Sequence, residues 1–392
     1  MLRRIPWWGS VIAIWAVSRL ITTALLALFS SWQAANSWTA AHPGYLAYSQ
    51  LWDSTWYHLV AVNGYPSVLP TGADGHVSEN AWAFLPAYPW LVRILMVATG
   101  QSWELVSVLV SLLFSLAAAL MVYRLMRLSL PAGSALFAVV LFCVAPLSPI
   151  LQVSYAESMY VFLLALALYL LVRRRYGWLF PVVLVMSFTR PSGLAFALAL
   201  GIHVIHRFLI RRKDDFPVVE RALAISLTAF SVAAGFAWNV IAALATGVPS
   251  AYTATELAWR EPYIGYTTLR PFSAWFEAAG FWAAEWRLGW LTYVLLVVII
   301  VVFASMFLLP AVRRLSVDLR IWCASYGIYL LAVFFPQSSV FRLFIPLFPF
   351  LGALAVPRSR LYRSVIVAAM LAGQFGWLYL CWWVNGYDWT PP

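Results

Sequence analysis

The chain predicts an all-α integral membrane protein, with about eleven transmembrane helices and a long outer loop that carries interfacial helices. Three observations predict it. First, 64% of the 392 residues are hydrophobic and 10% are charged, with a mean hydropathy of +0.84. Soluble domains are nearer half apolar and a quarter charged, and a soluble shape of this length lacks the interior to hide the difference. Second, the apolar residues fall in runs long enough to cross a hydrocarbon layer roughly 30 Å thick. Third, short arginine clusters separate those runs, as topology determinants do. The same composition excludes disordered, collagenous and disulfide-scaffold classes.

Taken in order, the first run, Pro6 to Phe29, lacks a small-residue cleavage site and reads as a membrane helix, not a signal peptide. Candidate crossings lie near 9–31, 103–123, 133–150, 155–172, 176–189, 191–207, 219–245, 289–310, 319–336, 340–357 and 362–384. The run 84–100 is apolar too, and the positive-inside rule decides its place. With a cytoplasmic N-terminus, those crossings put Arg3–Arg4, Arg124/Arg127, Arg173–Arg175, Arg207 with Arg211–Lys213, Arg313–Arg314 and Arg358/Arg360/Arg363 on the cytoplasmic side. A further crossing at 84–100 would put the later clusters outside. That run is therefore expected to be an interfacial or re-entrant helix on the outer side.

The first outer loop, 32–102, has one basic residue, Arg93, against Asp53, Asp74 and Glu79. The second, 246–288, holds Arg260, Arg270, Arg287, Glu256, Glu261, Glu277 and Glu285. The whole chain is then one polytopic membrane domain, with chemistry expected on the outer face where the two loops meet. A net charge of +11 would point to nucleic acid in a soluble protein. Here arginine supplies 24 of the 25 basic residues, in clusters that set topology, and the expected partner is the bilayer, not nucleic acid. Cys143, Cys323 and Cys381 lie far apart in apolar stretches and read as packing side chains. No metal-ligand spacing occurs, so no metal site is assigned and no cofactor is required, with a divalent ion left open.

The densest polar cluster is Trp52-Asp53-Ser54-Thr55-Trp56-Tyr57-His58, leading to Asn63-Gly64-Tyr65-Pro66. Residues 54–62 suit a short amphipathic helix ended by Asn63-Gly64, with Asp53 as its N-cap. From residue types alone, Asp53 reads equally as a capping carboxylate or as a reactive group. Trp52, Trp56 and Tyr57 suit an aromatic belt. Glu79 precedes Pro86 and Pro89, which set the entry to the 84–100 helix. Glu157 and Arg190 fall at the outer ends of their runs, either as a structural pair or as site residues. Arg342 begins a run at the same face, whereas Arg19 lies mid-helix and is expected to be structurally paired. A loop carboxylate beside helix-end arginines suits a lipid-linked, phosphate-bearing substrate. Guanidinium groups hold phosphate by paired, charge-assisted hydrogen bonds, and a carboxylate can take a proton from an attacking hydroxyl.

These residues resemble the PIG-V-like mannosyltransferase family. The resemblance runs through Trp52-Asp53-x-x-Trp56-Tyr57, Ala61-x-x-Gly64-Tyr65 and Ala83-Phe84-Leu85-Pro86-x-Tyr88-Pro89. It continues through Ser154-Tyr155-Ala156-Glu157-Ser158 and Thr189-Arg190-Pro191-Ser192-Gly193, the latter departing from the family's Arg-Ser-Asn-Gly. A looser echo is Arg342-x-x-x-Pro346-x-x-Pro349.

The resemblance implies a GT-C architecture, a polyprenyl- or dolichyl-phosphate-linked mannose donor, and a lipid-linked or glycan acceptor. It also implies Asp53 as catalytic base, with Arg342, Arg190 and then Arg270 on the donor phosphate. Trp52, Tyr57, His58, Glu79 and Glu157 would then bind sugar or acceptor. Transfer would invert the anomeric centre. The final residues, Asp388 to Pro392, carry no endoplasmic-reticulum retrieval signal, so a bacterial cell membrane is the expected location. The alternatives are an oligosaccharide-lipid ligase and a glycolipid transporter. Transporters usually place ionisable groups near the midplane, whereas here the charge gathers at one face.

Overall fold

The computed structural model describes residues 6–385. Arg3 and Arg4, counted above among the basic clusters, and the stretch Asp388 to Pro392 lie outside the described residues. The architecture is all-α. Its helices are α1 (Trp7–Trp32), α2 (Asp53–Asn63), α3 (Ala87–Thr99), α4 (Trp103–Met126), α5 (Ala132–Val144), α6 (Glu157–Val172), α7 (Tyr176–Ser187) and α8 (Gly193–Ile210). Next come α9 (Val218–Thr246), α10 (Ala251–Ala258), α11 (Ala274–Glu285), α12 (Leu291–Met306), α13 (Val317–Val333), α14 (Pro349–Leu354) and α15 (Arg360–Trp377). Among the described residues the only β pairing is one isolated bridge, Thr71 to Val77.

Among the described residues five helices are long and apolar enough to cross a bilayer: α1, α4, α8, α9, and α15 with its continuation to Trp382. Shorter apolar helices stand beside them. The central helices α4, α5 and α6 bury most of their length in one core. The peripheral helices instead expose apolar side chains: on α12, Val294, Val297, Val298, Val301 and Val302 all face outward. So much contiguous exposed aliphatic surface suits lipid tails, not water. Composition and helices together make this an all-α integral membrane protein.

One expected crossing is broken, not a continuous helix. Residues 340–357 do not form a single helix; they run as 3-10 turns at Ser338–Val340 and Arg342–Leu347, followed by α14. Pro346 and Pro349 are the cause, because each lacks an N–H and its ring clashes with the preceding turn. The expected crossing 133–150 is shortened likewise. Its α-helix stops at Val144, and the chain continues through Pro146 to a 3-10 turn at Ser148–Gln152. Carbonyls freed at such a break need donors when water is absent. Arg19 supplies them from mid-α1, donating from Nη1 to the Ser148 carbonyl at 2.8 Å and from Nη2 to the Cys143 carbonyl at 2.7 Å. Its structural partner is therefore backbone, not a carboxylate.

At the end of the bundle away from the long loops, a polar network ties α7, α8, α9 and α13 together. His203 Nδ1 lies 2.6 Å from Asp318, and Tyr176 Oη lies 2.8 Å from His203 Nε2. Arg207 bonds Asp214 at 2.6 Å and Glu220 at 3.1 Å. Satisfied networks of this kind fix helix register.

The helix α3, expected to stay on one side, buries Tyr88, Pro89 and Val92 and exposes Trp90, Ile94 and Val97. If residues 32–102 stay on the outer side, cysteines placed at the exposed positions Thr71 and Gln101 will both react with an impermeant thiol reagent applied from outside. Labelling of Gln101 from the cytoplasmic side alone would contradict that topology.

Candidate active site

The site is built at the end of the bundle where the two long loops meet. Asp53 is the first residue of α2, and Trp52 before it occupies the cap position, at φ 59° and ψ −125°. This corrects the expected arrangement in which Asp53 caps a helix beginning at Ser54. A positive φ at a bulky residue is strained, and here it turns the chain so that Asp53 enters the interior. Two contacts hold that turn. The Asp53 N–H donates to Tyr155 Oη at 3.0 Å, and Tyr155 Oη lies 3.4 Å from the Leu51 carbonyl. The other end of α2 stops at Gly64, whose φ of 76° is easy only for glycine.

The carboxylate of Asp53 is ion-paired with Arg342 Nη1. The same nitrogen lies 3.9 Å from Glu157 Oε1, and Arg190 Nη1 lies 3.1 Å from that oxygen. Asp53, Arg342, Glu157 and Arg190 thus form one continuous run of alternating charge, largely enclosed by protein. Glu157 is the first residue of α6, where the helix N-terminus favours negative charge. Arg190 sits in the turn between α7 and α8, and Arg342 opens the 3-10 turn that the prolines impose. Tyr57 is fully buried near Arg190 and packs edge-on against Tyr88 and Tyr155 at 5.4 and 6.2 Å. Burial pushes the Tyr57 phenol well above its usual range. Arg342 Nε has no hydrogen-bond partner among the described residues, and neither do the two Glu157 oxygens.

Other residues singled out in the sequence lie further from this run. Trp52 is buried against Trp38, with ring centroids 4.8 Å apart. His58 stacks flat on Trp103 at 5.1 Å, beside Glu104. Glu79 keeps an open face, yet partial burial, reinforced by the charges of Asp53 and Glu261, pushes its carboxyl up to about 7. Arg270 is exposed, and its backbone carbonyl receives the Ser273 N–H. Among the described residues no ion pair of Arg270 is found.

The structure also brings in residues that sequence reasoning did not select. The second long loop docks on the first through α10: Asn80 Nδ2 donates to Thr255 Oγ1 at 2.9 Å, and Trp259 packs edge-on against Trp56 and Phe84. This carries Tyr252, Glu256 and Arg260 toward Arg190 and Arg342. Their only signal in the sequence was charge on an outer loop. Among the described residues, no three His, Cys, Asp or Glu side chains come within reach of one metal ion.

The segment that opens with Arg342 also borders an apolar cavity of about 510 Å³. It begins at Phe341, the neighbour of Arg342, and descends between the broken 340–357 segment, α5 and α15. Phe142, Phe348, Leu351, Met370 and Trp377 line it. Its lining is hydrocarbon apart from Ser148 and Cys381, and none of the four charged residues is part of it.

Arg190 is expected to matter for folding as well as for binding. Removing one partner from a buried ion pair leaves the other uncompensated, at roughly 3–5 kcal/mol. Arg190→Ala should therefore lower the thermal midpoint in detergent markedly, and Arg190→Lys should restore part of it. An unchanged midpoint in Arg190→Ala would make the contact with Glu157 dispensable to the fold.

No family model matches the chain. The GPI alpha-1,6-mannosyltransferase 2 of Mus musculus is 34% identical over 161 residues, which cover 38% of this chain and 28% of that protein. The match thus spans little more than a quarter of that relative's length. Among solved structures, the crystal structure of an Archaeoglobus fulgidus oligosaccharyltransferase tethered with an acceptor peptide aligns over 94% of this chain and 54% of its own. Its TM-score is 0.41 and the identity is 14%, a likeness too distant to carry an argument about the site.

Proposed function

We propose that this protein is a membrane glycosyltransferase of the PIG-V-like, GT-C kind. It transfers mannose from a polyprenyl-phosphate-linked donor to a lipid-linked or glycan acceptor on the outer face of the membrane. The observation that carries this reading is the enclosed Asp53–Arg342–Glu157–Arg190 run, together with an apolar cavity that starts at Phe341, the residue before Arg342. An anionic head joined to an isoprenoid chain matches both halves at once. The partial similarity to a GPI mannosyltransferase supports the choice of mannose.

In this mechanism an acceptor hydroxyl attacks the anomeric carbon from the side opposite the phosphate. The new C–O bond forms as the bond to the phosphate oxygen breaks, and its electron pair leaves with the polyprenyl phosphate. Asp53 accepts the hydroxyl proton. Arg342 and Arg190 stabilise the charge that develops on the departing phosphate. Arg342 suits a shared role because guanidinium presents five donors in a fork, and its Nε has no protein partner among the described residues. Attack from the opposite side inverts the centre, so a β-linked donor yields an α-mannoside. Trp52, Tyr57, Glu79 and Glu157 are assigned to orienting the sugars, with His58 and Arg270 further from the reacting groups.

The cavity offers a direct test. Gly376 lines it, and a Cβ added there meets no atom within 4 Å. Gly376→Phe should fill the space without disturbing the fold. At about 0.8 kcal/mol per buried methylene, displacing two methylenes raises the KM for a long-chain donor roughly tenfold. A short-chain donor should be used as by the wild type. Equal loss with both donors, or none with either, would contradict binding of the chain in this cavity.

A further inference from the structure

The stretch Ser154 to Glu157, which leads into α6, grips the first outer loop around Trp52. The Ser154 N–H donates to the Ser49 carbonyl at 3.3 Å, and Ser154 Oγ accepts from Gln50 Nε2 at 2.6 Å. One residue on, Tyr155 Oη accepts the Asp53 N–H at 3.0 Å and donates to the Leu51 carbonyl at 3.4 Å. That single oxygen thus bridges the residues on either side of Trp52, whose φ of 59° is costly for a bulky side chain. Serines of α4 anchor the stretch from behind. Ser107 Oγ lies 2.7 Å from Ser154 Oγ, and Ser111 Oγ donates to the Tyr155 carbonyl at 3.2 Å. Tyr155 itself has no exposed surface.

The ring of the same side chain meets the cation. Arg342 Cζ lies over it, 5.9 Å from the centroid, a distance at which the ring's negative face attracts a guanidinium. Tyr57 and Trp382 pack on that ring at 6.2 and 5.6 Å and fix its plane. Arg342 comes from a 3-10 turn, and its Nε has no hydrogen-bond partner among the described residues, so its placement depends on the few groups it meets. The hydroxyl, for its part, both accepts and donates, which commits its one proton to the Leu51 carbonyl. Tyr155 therefore acts through Asp53 and Arg342, not on the substrate.

We propose that Tyr155 is a positioning residue of the transfer reaction: its hydroxyl holds the turn at Trp52 and so aims the Asp53 carboxylate, while its ring seats Arg342. One side chain thereby sets the spacing between the group that takes the acceptor proton and the cation that meets the departing phosphate. The proposal rests on the reading of Asp53 as base and Arg342 as phosphate ligand. Its two halves are separable. The hydroxyl governs the rate, because misplacing a reacting group by about 1 Å costs up to roughly a hundredfold. The ring governs donor affinity, to which a guanidinium on an aromatic face contributes roughly two- to thirtyfold.

Tyr155→Phe removes the hydroxyl and keeps the ring, whereas Tyr155→Leu removes both. Rates are measured on the full chain in vesicles, with polyprenyl phosphomannose radiolabelled in the sugar as donor and total membrane lipid as acceptor. Tyr155→Phe should lower kcat by roughly tenfold to a hundredfold, with a donor KM close to wild type. Tyr155→Leu should lose as much in kcat and also raise the donor KM roughly two- to thirtyfold. Because the hydroxyl acts through Asp53, adding Tyr155→Phe to Asp53→Asn should cost little further rate, as expected of coupled neighbours. A wild-type kcat in Tyr155→Phe, the same fold loss with and without Asp53→Asn, or one donor KM shared by the Phe and Leu variants would each overturn the proposal and leave the reading of Asp53 intact. A wild-type rate in Asp53→Asn alone would instead sink that reading, and this proposal with it. If Tyr155→Phe does not fold, amide exchange in wild type decides. The Asp53 N–H opens α2 and has no partner within its helix, so its exchange should be slow on account of Tyr155. Exchange as fast as in an exposed loop overturns the proposal.

Discussion

Asp53→Asn is expected to lower mannose transfer by roughly a hundredfold to ten-thousandfold, the usual cost of losing a general base, while the protein still folds. Asparagine cannot take the acceptor proton. Its side-chain oxygen can still accept a hydrogen bond from Arg342, and the backbone N–H that bonds Tyr155 is unaltered. Helix capping cannot explain such a loss, because Trp52, not Asp53, occupies the cap position of α2. The helix-terminus effect on the charge is small, about 0.3–1 kcal/mol. Asp53→Glu retains a base displaced by one methylene and should keep a small residual rate. Near-wild-type transfer by Asp53→Asn would reduce Asp53 to a counter-ion for Arg342. Glu79 and Glu157 would then become the candidates for the base.

Arg342→Ala carries the second large effect. Loss of a charged hydrogen bond costs on the order of 1.5–3 kcal/mol, which corresponds to a tenfold to more than hundredfold rise in the KM for the lipid donor. Acceptor KM should move little. Arg342→Lys should recover only part of the loss, because an ammonium cannot span Asp53, Glu157 and a phosphate as a planar fork does. Wild-type donor kinetics in Arg342→Ala would remove Arg342 from the phosphate site.

The membrane class and most helix positions were legible because apolar runs and arginine clusters are local signals. What failed were the consequences of proline within an apolar run. Residues 340–357 read as a crossing by hydropathy, yet Pro346 and Pro349 divide them into 3-10 turns and the short α14. That break carries Arg342 to Asp53, 289 residues away in sequence. The polar segments around Asp53, Glu157, Arg190 and Arg342 were also legible, since each stands at the edge of an apolar run. Tyr155 was not selected, because only the fold brings its hydroxyl to Asp53 and its ring to Arg342. His58 and Arg270 show the converse limit. His58 turns to Trp103, and Arg270 stays at the surface, although both lie on the appropriate loops.

The most direct measurement is transfer itself. Vesicles containing the purified protein would be incubated with polyprenyl phosphomannose radiolabelled in the sugar, together with membrane lipids as acceptors. Labelled products would be separated and their anomeric configuration determined. The expected result is a labelled α-mannoside formed by wild type and nearly absent with Asp53→Asn. A wild-type protein that binds the donor and forms no labelled product with any membrane lipid or glycan acceptor, or one that labels products equally well with Asp53→Asn, would contradict the account.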